Sequence, residues 1–150
     1  MKARARVARM PDKLPLAEST VAATVMVVNP DPARRAHLAA ALRQHGHHVE
    51  AFETARAAIE RLAPPHQTVV LVVHHELDTM TALDFIDEVR SRGVFLPTIV
   101  TVPPHAVDAA VEAIRRGATD VLEEPLEDSM LAESVAHVLA QTLRPAGLRR

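Results

Sequence analysis

Imidazoles and carboxylates carry most of the reactive chemistry open to this chain. Nine His are present and no Cys, so thiolate catalysis, disulfides and Cys-based zinc sites are excluded. The groups that stand out are His74-His75-Glu76, Glu123-Glu124, Asp31 and His105. Brought together, His74, Glu76 and Glu124, with Asp31 or His105, would offer a transition-metal site. Against that reading, His74 and His75 are neighbours on a predicted strand, so they face opposite ways and cannot chelate jointly. His47-His48 meets the same objection, and no recognised ligand spacing occurs. Nine imidazoles could also sense pH, since an unperturbed His titrates near neutrality. Surface His that merely fill space are the plainer reading. No GxGxxG, Walker-type loop or GxSxG elbow is present, and four Gly leave little for a phosphate-cradling loop. Nucleotide enzymes lose their support, and no enzymatic activity and no cofactor are expected. With three Phe and neither Trp nor Tyr, aromatic stacking on bases or sugars has no basis.

Positioning such groups requires elements, and these can be read from periodicity. TVMVV at 24–28 is a continuous apolar strand, followed by Asp31 as helix N-cap and Pro32 at the first helical position. Leu38, Ala41 and Leu42 share one helix face, and Gly46 stops that helix. HVEAF at 48–52 alternates as an edge strand would. Thr54 then opens a helix bearing Ala55, Ala58, Ile59 and Leu62, which ends at Pro64-Pro65. TVVLVV at 68–73 is apolar on both faces, the mark of a central parallel strand. Thr81 and Asp84 stand at capping-box spacing before Ala82, Phe85, Ile86 and Val89. PTIVTV at 97–102 is the fourth strand. Val107, Ala110, Val111 and Ile114 are predicted as the buried face of the next helix, with Gly117 as its stop. DVL at 120–122 is a short fifth strand, and Leu131, Val135, Val138 and Leu139 line the last helix. Five β–α repeats in strict alternation predict a doubly wound α/β fold with a five-stranded parallel sheet. In such sheets binding sits at the carboxyl ends of the strands, here Asn29–Asp31, His74–Asp78, Val102–His105 and Glu123–Pro125.

Charge divides the chain differently. The formal net charge is −2. Lys2, Arg4, Arg6, Arg9 and Lys13 outweigh Asp12 and Glu18 by three over residues 1–22, and Arg144, Arg149 and Arg150 add three more. The stretch 23–143 therefore carries −8 and every His. We expect a flexible basic arm over 1–22, a folded body over 23–143 and a basic tail over 144–150. The ends are read as solubilising; as handles for nucleic acid they would bind weakly and with strong salt dependence, so no nucleic-acid partner is expected. Pro11, Asp12, Pro15 and Glu18 interrupt any signal-peptide pattern, and no uninterrupted apolar run approaches a membrane span, so a cytoplasmic protein is expected.

The strand ends and the segments around them resemble the receiver domain of two-component response regulators. The similarity rests on VMVVNPDPARRAHLAAALRQHGHHVEAFETARAAI, on VVLVVHHELDTMTALDFIDEVR and on LPTIVTVPPHAVDAAVEAIRRGATDVLEEPLED. Its most specific part, AVEAIxxGAxDxLxxPLxD, is similar to FixJ-like receivers. The resemblance implies a flavodoxin/CheY-like (β/α)5 fold with strand order 2-1-3-4-5. It also implies a family that takes a phosphoryl group onto an aspartate with Mg²⁺ and then switches a partner-binding face. The residues for that chemistry are missing here. The family's acidic pair falls on Asn29 and Pro30, with Asp31 one place on. The phospho-accepting aspartate falls on His74 and the switch Ser/Thr on Val102, while Thr101 stands one residue away on the opposite sheet face. The lysine falls on Glu124 and the aromatic of the fifth strand on Val121. Pro125 is retained, and the resemblance implies a cis Glu124–Pro125 bond.

Aspartyl phosphorylation needs a carboxylate nucleophile, a hard cation held by oxygen ligands and a lysine to balance phosphoryl charge. An imidazole, a lost acidic pair and an anion in place of the lysine predict a pseudo-receiver. His74 and Glu124 exchange base and acid between the two strands that the family joins, so they are expected to form an ion pair or hydrogen bond that locks one conformation. The expected work is protein–protein interaction, with a signalling partner or with a second copy. Its expected face is that of the fourth helix, fifth strand and fifth helix, bearing Arg115, Arg116, Asp120, Val121, Glu127 and Asp128. About seven residues follow the last predicted helix, so no effector domain is expected after it. The alternative function is a metal- or small-ligand-binding regulator that uses the former phosphorylation cleft.

Overall fold

Alternating burial along three apolar runs organises the molecule. The computed structural model describes residues 23–142; the arm expected at 1–22 and the tail at 144–150 lie outside the described residues. Strands β1 (Thr24–Val28), β2 (His48–Phe52), β3 (Thr68–His74), β4 (Thr98–Val102) and β5 (Asp120–Glu123) form one parallel sheet in the order β2-β1-β3-β4-β5. The expected fold and strand order are therefore both present. Met26, Val28, Leu71, Val73, Val100 and Val102 point to one face. Val25, Val27, Val70, Val72 and Ile99 point to the other. Because β1, β3 and β4 bury both faces, they read as continuous apolar runs rather than alternating ones.

Helices cover each side. The first face packs against α2 (Ala55–Arg61), α3 (Ala82–Ser91) and α4 (Val107–Arg115), and the second against α1 (Pro32–Gln44) and α5 (Asp128–Thr142). The helix starts follow from capping chemistry. Asp31 Oδ2 accepts the Arg34 N–H at 2.8 Å, and Thr54 Oγ1 accepts from Ala57. Thr81 and Asp84 complete a reciprocal capping box.

Helix α4 corrects the sequence-based expectation. Val107, Val111 and Ile114, predicted as its buried stripe, are 67%, 46% and 52% exposed. The inward side is Ala113, fully buried, with Ala106, Ala109 and Ala110 partly buried. Both stripes recur at helical spacing. The alanines turn inward because methyl groups let the helix backbone lie close over β4 and β5, which leaves the bulkier branched residues facing outward.

Candidate functional site

The carboxyl end of the sheet is built first from the β1–α1 turn. Asn29, almost fully buried, donates its backbone N–H to Phe52 O at 3.1 Å. Its side-chain Oδ1 accepts the Asp31 N–H at 2.9 Å, and its carbonyl accepts from Arg35 Nη1 at 2.8 Å. The turn therefore engages two of the oxygens that could face a cation: Asn29 Oδ1 shapes the loop and Asp31 Oδ2 caps α1. Pro30, between them, offers no side-chain ligand. The residues present do not fit the Mg²⁺ that the resemblance implies, since a hard divalent ion needs several free oxygen ligands, carboxylates foremost.

Strand alternation decides what meets across the cleft. His74 follows Val70 and Val72 onto the α1/α5 face, and its partner in the β3–β4 register is Thr101. His74 Nδ1 and Thr101 Oγ1 share a hydrogen bond of 3.2 Å. Glu124 Oε2 lies 3.6 Å from the same Nδ1, and Glu124 Oε1 lies 3.9 Å from Arg34 Nη1. The His74 and Glu124 side chains are each 11% exposed, and Thr101 is fully buried. His75 packs edge-on against the His74 ring. Burial holds His74 below the ordinary histidine value of 6.5; the nearby Glu124 charge opposes that shift, and His75 and Arg34 reinforce it. At 3.6 Å His74 and Glu124 are within ion-pair range but not hydrogen-bonded, and burial favours the neutral form of the imidazole. The Glu124–Pro125 peptide is cis, as the resemblance implied.

His74, Asn29, Pro30, Asp31, Arg34 and Glu76 line an open cleft of about 390 Å³. Val102 does not join it. Expected in the pocket, it faces the other side of the sheet, where with Val121 it lines a groove of about 270 Å³ beneath α4. Thr101 is the β4 residue that reaches His74, and Arg34 the α1 residue that reaches Glu124; sequence reasoning missed both roles. Parity places Thr101 on the face opposite Val102, which is the face of His74, and the β3–β4 register then pairs the two. The metal alternative is not assembled: among the described residues no three His, Asp or Glu side chains converge as ligands. His105, at φ 64°, instead donates its backbone N–H to Glu123 Oε2.

Of the six positions expected on one interaction face, Arg116, Asp120 and Asp128 make contacts of their own within the fold. Arg116 turns to Asp87 on α3, and Asp128 Oδ1 sits 3.0 Å from His37 Nε2 on α1. Asp120 is structural: Oδ2 accepts from Ser134 Oγ at 2.6 Å and Oδ1 from its neighbour's N–H at 2.9 Å. Arg115 and Glu127 are exposed, and Val121 is half-buried in the groove. What the α4 side chiefly presents is the apolar row Val107, Val111 and Ile114.

Comparison with known proteins fits this geometry. The sequence profile of the family described as "Response regulator receiver domain" matches residues 25–136. The chain is 36% identical over 123 residues to the response regulator protein FleR of Pseudomonas aeruginosa, covering 81% of this chain and 26% of FleR. It is 30% identical over 112 residues to the transcriptional regulatory protein FixJ of Rhizobium meliloti, covering 75% of this chain and 54% of FixJ. Full-length FixJ from B. japonicum superposes with a TM-score of 0.76 at 26% identity, over 83% of this chain and 61% of that one. The chain thus spans between about a quarter and about half of these two curated relatives. Among the described residues no helix is long and apolar enough to cross a membrane.

Proposed function

The chain belongs to the response regulator receiver domain family of two-component systems, and from that premise we propose that it signals by protein–protein contact without aspartyl phosphorylation. The observation that carries the reading is the trio at the sheet's end: His74 stands where the family's phospho-acceptor falls, hydrogen-bonded to Thr101 and facing Glu124. An imidazole at that place supplies no carboxylate to form an acyl phosphate. Glu124 at the lysine's place adds negative charge where a phosphoryl group would need positive charge. The base–acid exchange keeps a polar link between β3 and the β5–α5 loop, which supports a pocket rebuilt to hold the switch apparatus in place.

Contact with a partner is supported by the α4 side. Val107, Val111 and Ile114 form a contiguous exposed apolar row of the kind that marks interaction surfaces. The partner is a signalling protein or a second copy of this chain. Mg²⁺ with beryllofluoride, which mimics an aspartyl phosphate, tests the phosphorylation half. In amide NMR spectra at about pH 7.5, no shifts are expected around His74, Thr101 and Glu124. Saturable shifts there would overturn the reading.

A further inference from the structure

We propose that Glu124 is a carboxylate poised between Arg34 and His74, and that protonation of His74 draws it onto the imidazole and away from the arginine. This rests on the reading of the pocket as one that no longer accepts a phosphoryl group, and it names the proton as the ligand that the rebuilt pocket takes instead.

Geometry supplies the poise. Glu124 Oε2 is 3.6 Å from His74 Nδ1 and Oε1 is 3.9 Å from Arg34 Nη1. Both separations lie beyond a good hydrogen bond, so neither contact has captured the carboxylate. Thr101 decides what a proton changes. Its hydroxyl is fully buried and its hydrogen-bond partner is His74 Nδ1 at 3.2 Å. While the ring is neutral with its proton on Nε2, the hydroxyl donates to the bare Nδ1. Once Nδ1 is protonated it can only donate, so the Thr101 hydroxyl must reverse its role and accept, and the nearest anionic acceptor for the new N–H is Glu124. A charge-assisted bond of that kind is shorter and stronger than the neutral one it replaces.

Every charged or titratable group around His74 enters the balance. Glu124 approaches from the β5–α5 loop, Arg34 and Asp31 from α1, and His75 and Glu76 from the turn after β3. Burial opposes protonation, and the two glutamates favour it. Closure of Glu124 onto His74 would take its charge further from the Arg34 guanidinium, whose side chain is 57% exposed. Arg34 also borders a second cavity of about 390 Å³, between α1 and the loops carrying Pro104 and Pro125. The output would therefore appear on the α1 side as a less compensated cation beside an apolar hollow. The nearby His37–Asp128 contact also joins α1 to the start of α5 and must be separated from this effect.

The test is an NMR titration of the full chain from about pH 8 to about pH 5. It follows the His74 ring, the Arg34 guanidinium N–H and the Leu126 amide. The expected result is one midpoint shared by all three, abolished for Arg34 and Leu126 by His74→Gln and kept in His37→Gln. Glu124→Gln should lower the His74 midpoint and Arg34→Gln should raise it, each by about half a unit. Those opposite signs are read on the ring itself and do not depend on His74→Gln folding. Arg34 and Leu126 signals that stay flat through the His74 transition, or shifts of the same sign in the two variants, would overturn the proposal. Beryllofluoride binding at about pH 7.5 is a separate outcome: it defeats the phosphorylation-free reading whether or not Arg34 follows His74.

Discussion

A half-buried imidazole at the end of β3 couples the stability of the fold to pH. His74 is held below 6.5 chiefly by burial, and His47 is lowered too, by burial and by the neighbouring His45. As pH falls below 6.5 the unfolded chain takes up these protons first, so the folded state loses stability through that window and keeps it in full above. Urea denaturation at about pH 7.5 and about pH 5.5 is expected to show lower stability in acid, with a shallower decline in His74→Gln. An equal or steeper decline in that variant would remove His74 as a source of the effect. That His74 and Glu124 stand close together was legible from two residue types at two strand ends. The partners that tune the pair were not, because Arg34 and Thr101 reach it through side-chain direction. Strand parity assigns Thr101 to a face; only the register with β3 places it 3.2 Å from His74.

Among the elements, those with end signals and a single apolar stripe were readable, and the one with two stripes was not. Helix α3 has both signals, with Thr81 and Asp84 in reciprocal hydrogen bonds and Phe85 fully buried. Thr81→Ala should cost about 1 kcal/mol of stability, read from the denaturant midpoint. Helix α4 carries alanines and branched residues at equivalent spacing, so periodicity alone could not choose its buried side. Its C-terminal end is set more sharply. Gly117 has φ 106°, and a Cβ there would lie 2.5 Å from Arg90 Nη1, whose neighbouring Nη2 donates to the Gly117 carbonyl at 3.1 Å. Gly117→Ala therefore combines a left-handed backbone with displacement of an arginine that ties α3 to the α4–β5 turn. A loss of about 1–2 kcal/mol is expected, and Arg90→Ala should recover part of it in the double variant. An unchanged midpoint in Gly117→Ala would show that the turn relaxes freely.

At the scale of the molecule, an acidic body exposes an apolar row whose charges are self-complementary. With 100° per residue, Val107 and Ile114 flank Val111 on one side of α4, and Asp108 and Arg115 flank it on the other. Two copies related by a twofold axis through Val111 would run their α4 helices antiparallel. The apolar flank of one helix would meet the apolar flank of the other, and Asp108 would face the second copy's Arg115. Val111→Asp should weaken such a dimer at least tenfold, since it buries two like charges at the axis. Arg115→Asp should weaken it less, because its charge pair lies at the rim. The exchange Asp108→Arg with Arg115→Asp should restore most of that loss, because the pair is re-formed with its signs reversed. Sedimentation of the full chain over a range of concentrations reads all three. A chain that stays monomeric throughout would assign the row to a different protein, and one that dimerises equally well with Val111→Asp would place the interface elsewhere. Recovery in the double exchange is the discriminating result, because an apolar patch that associates without specific register gains nothing from swapping two charges.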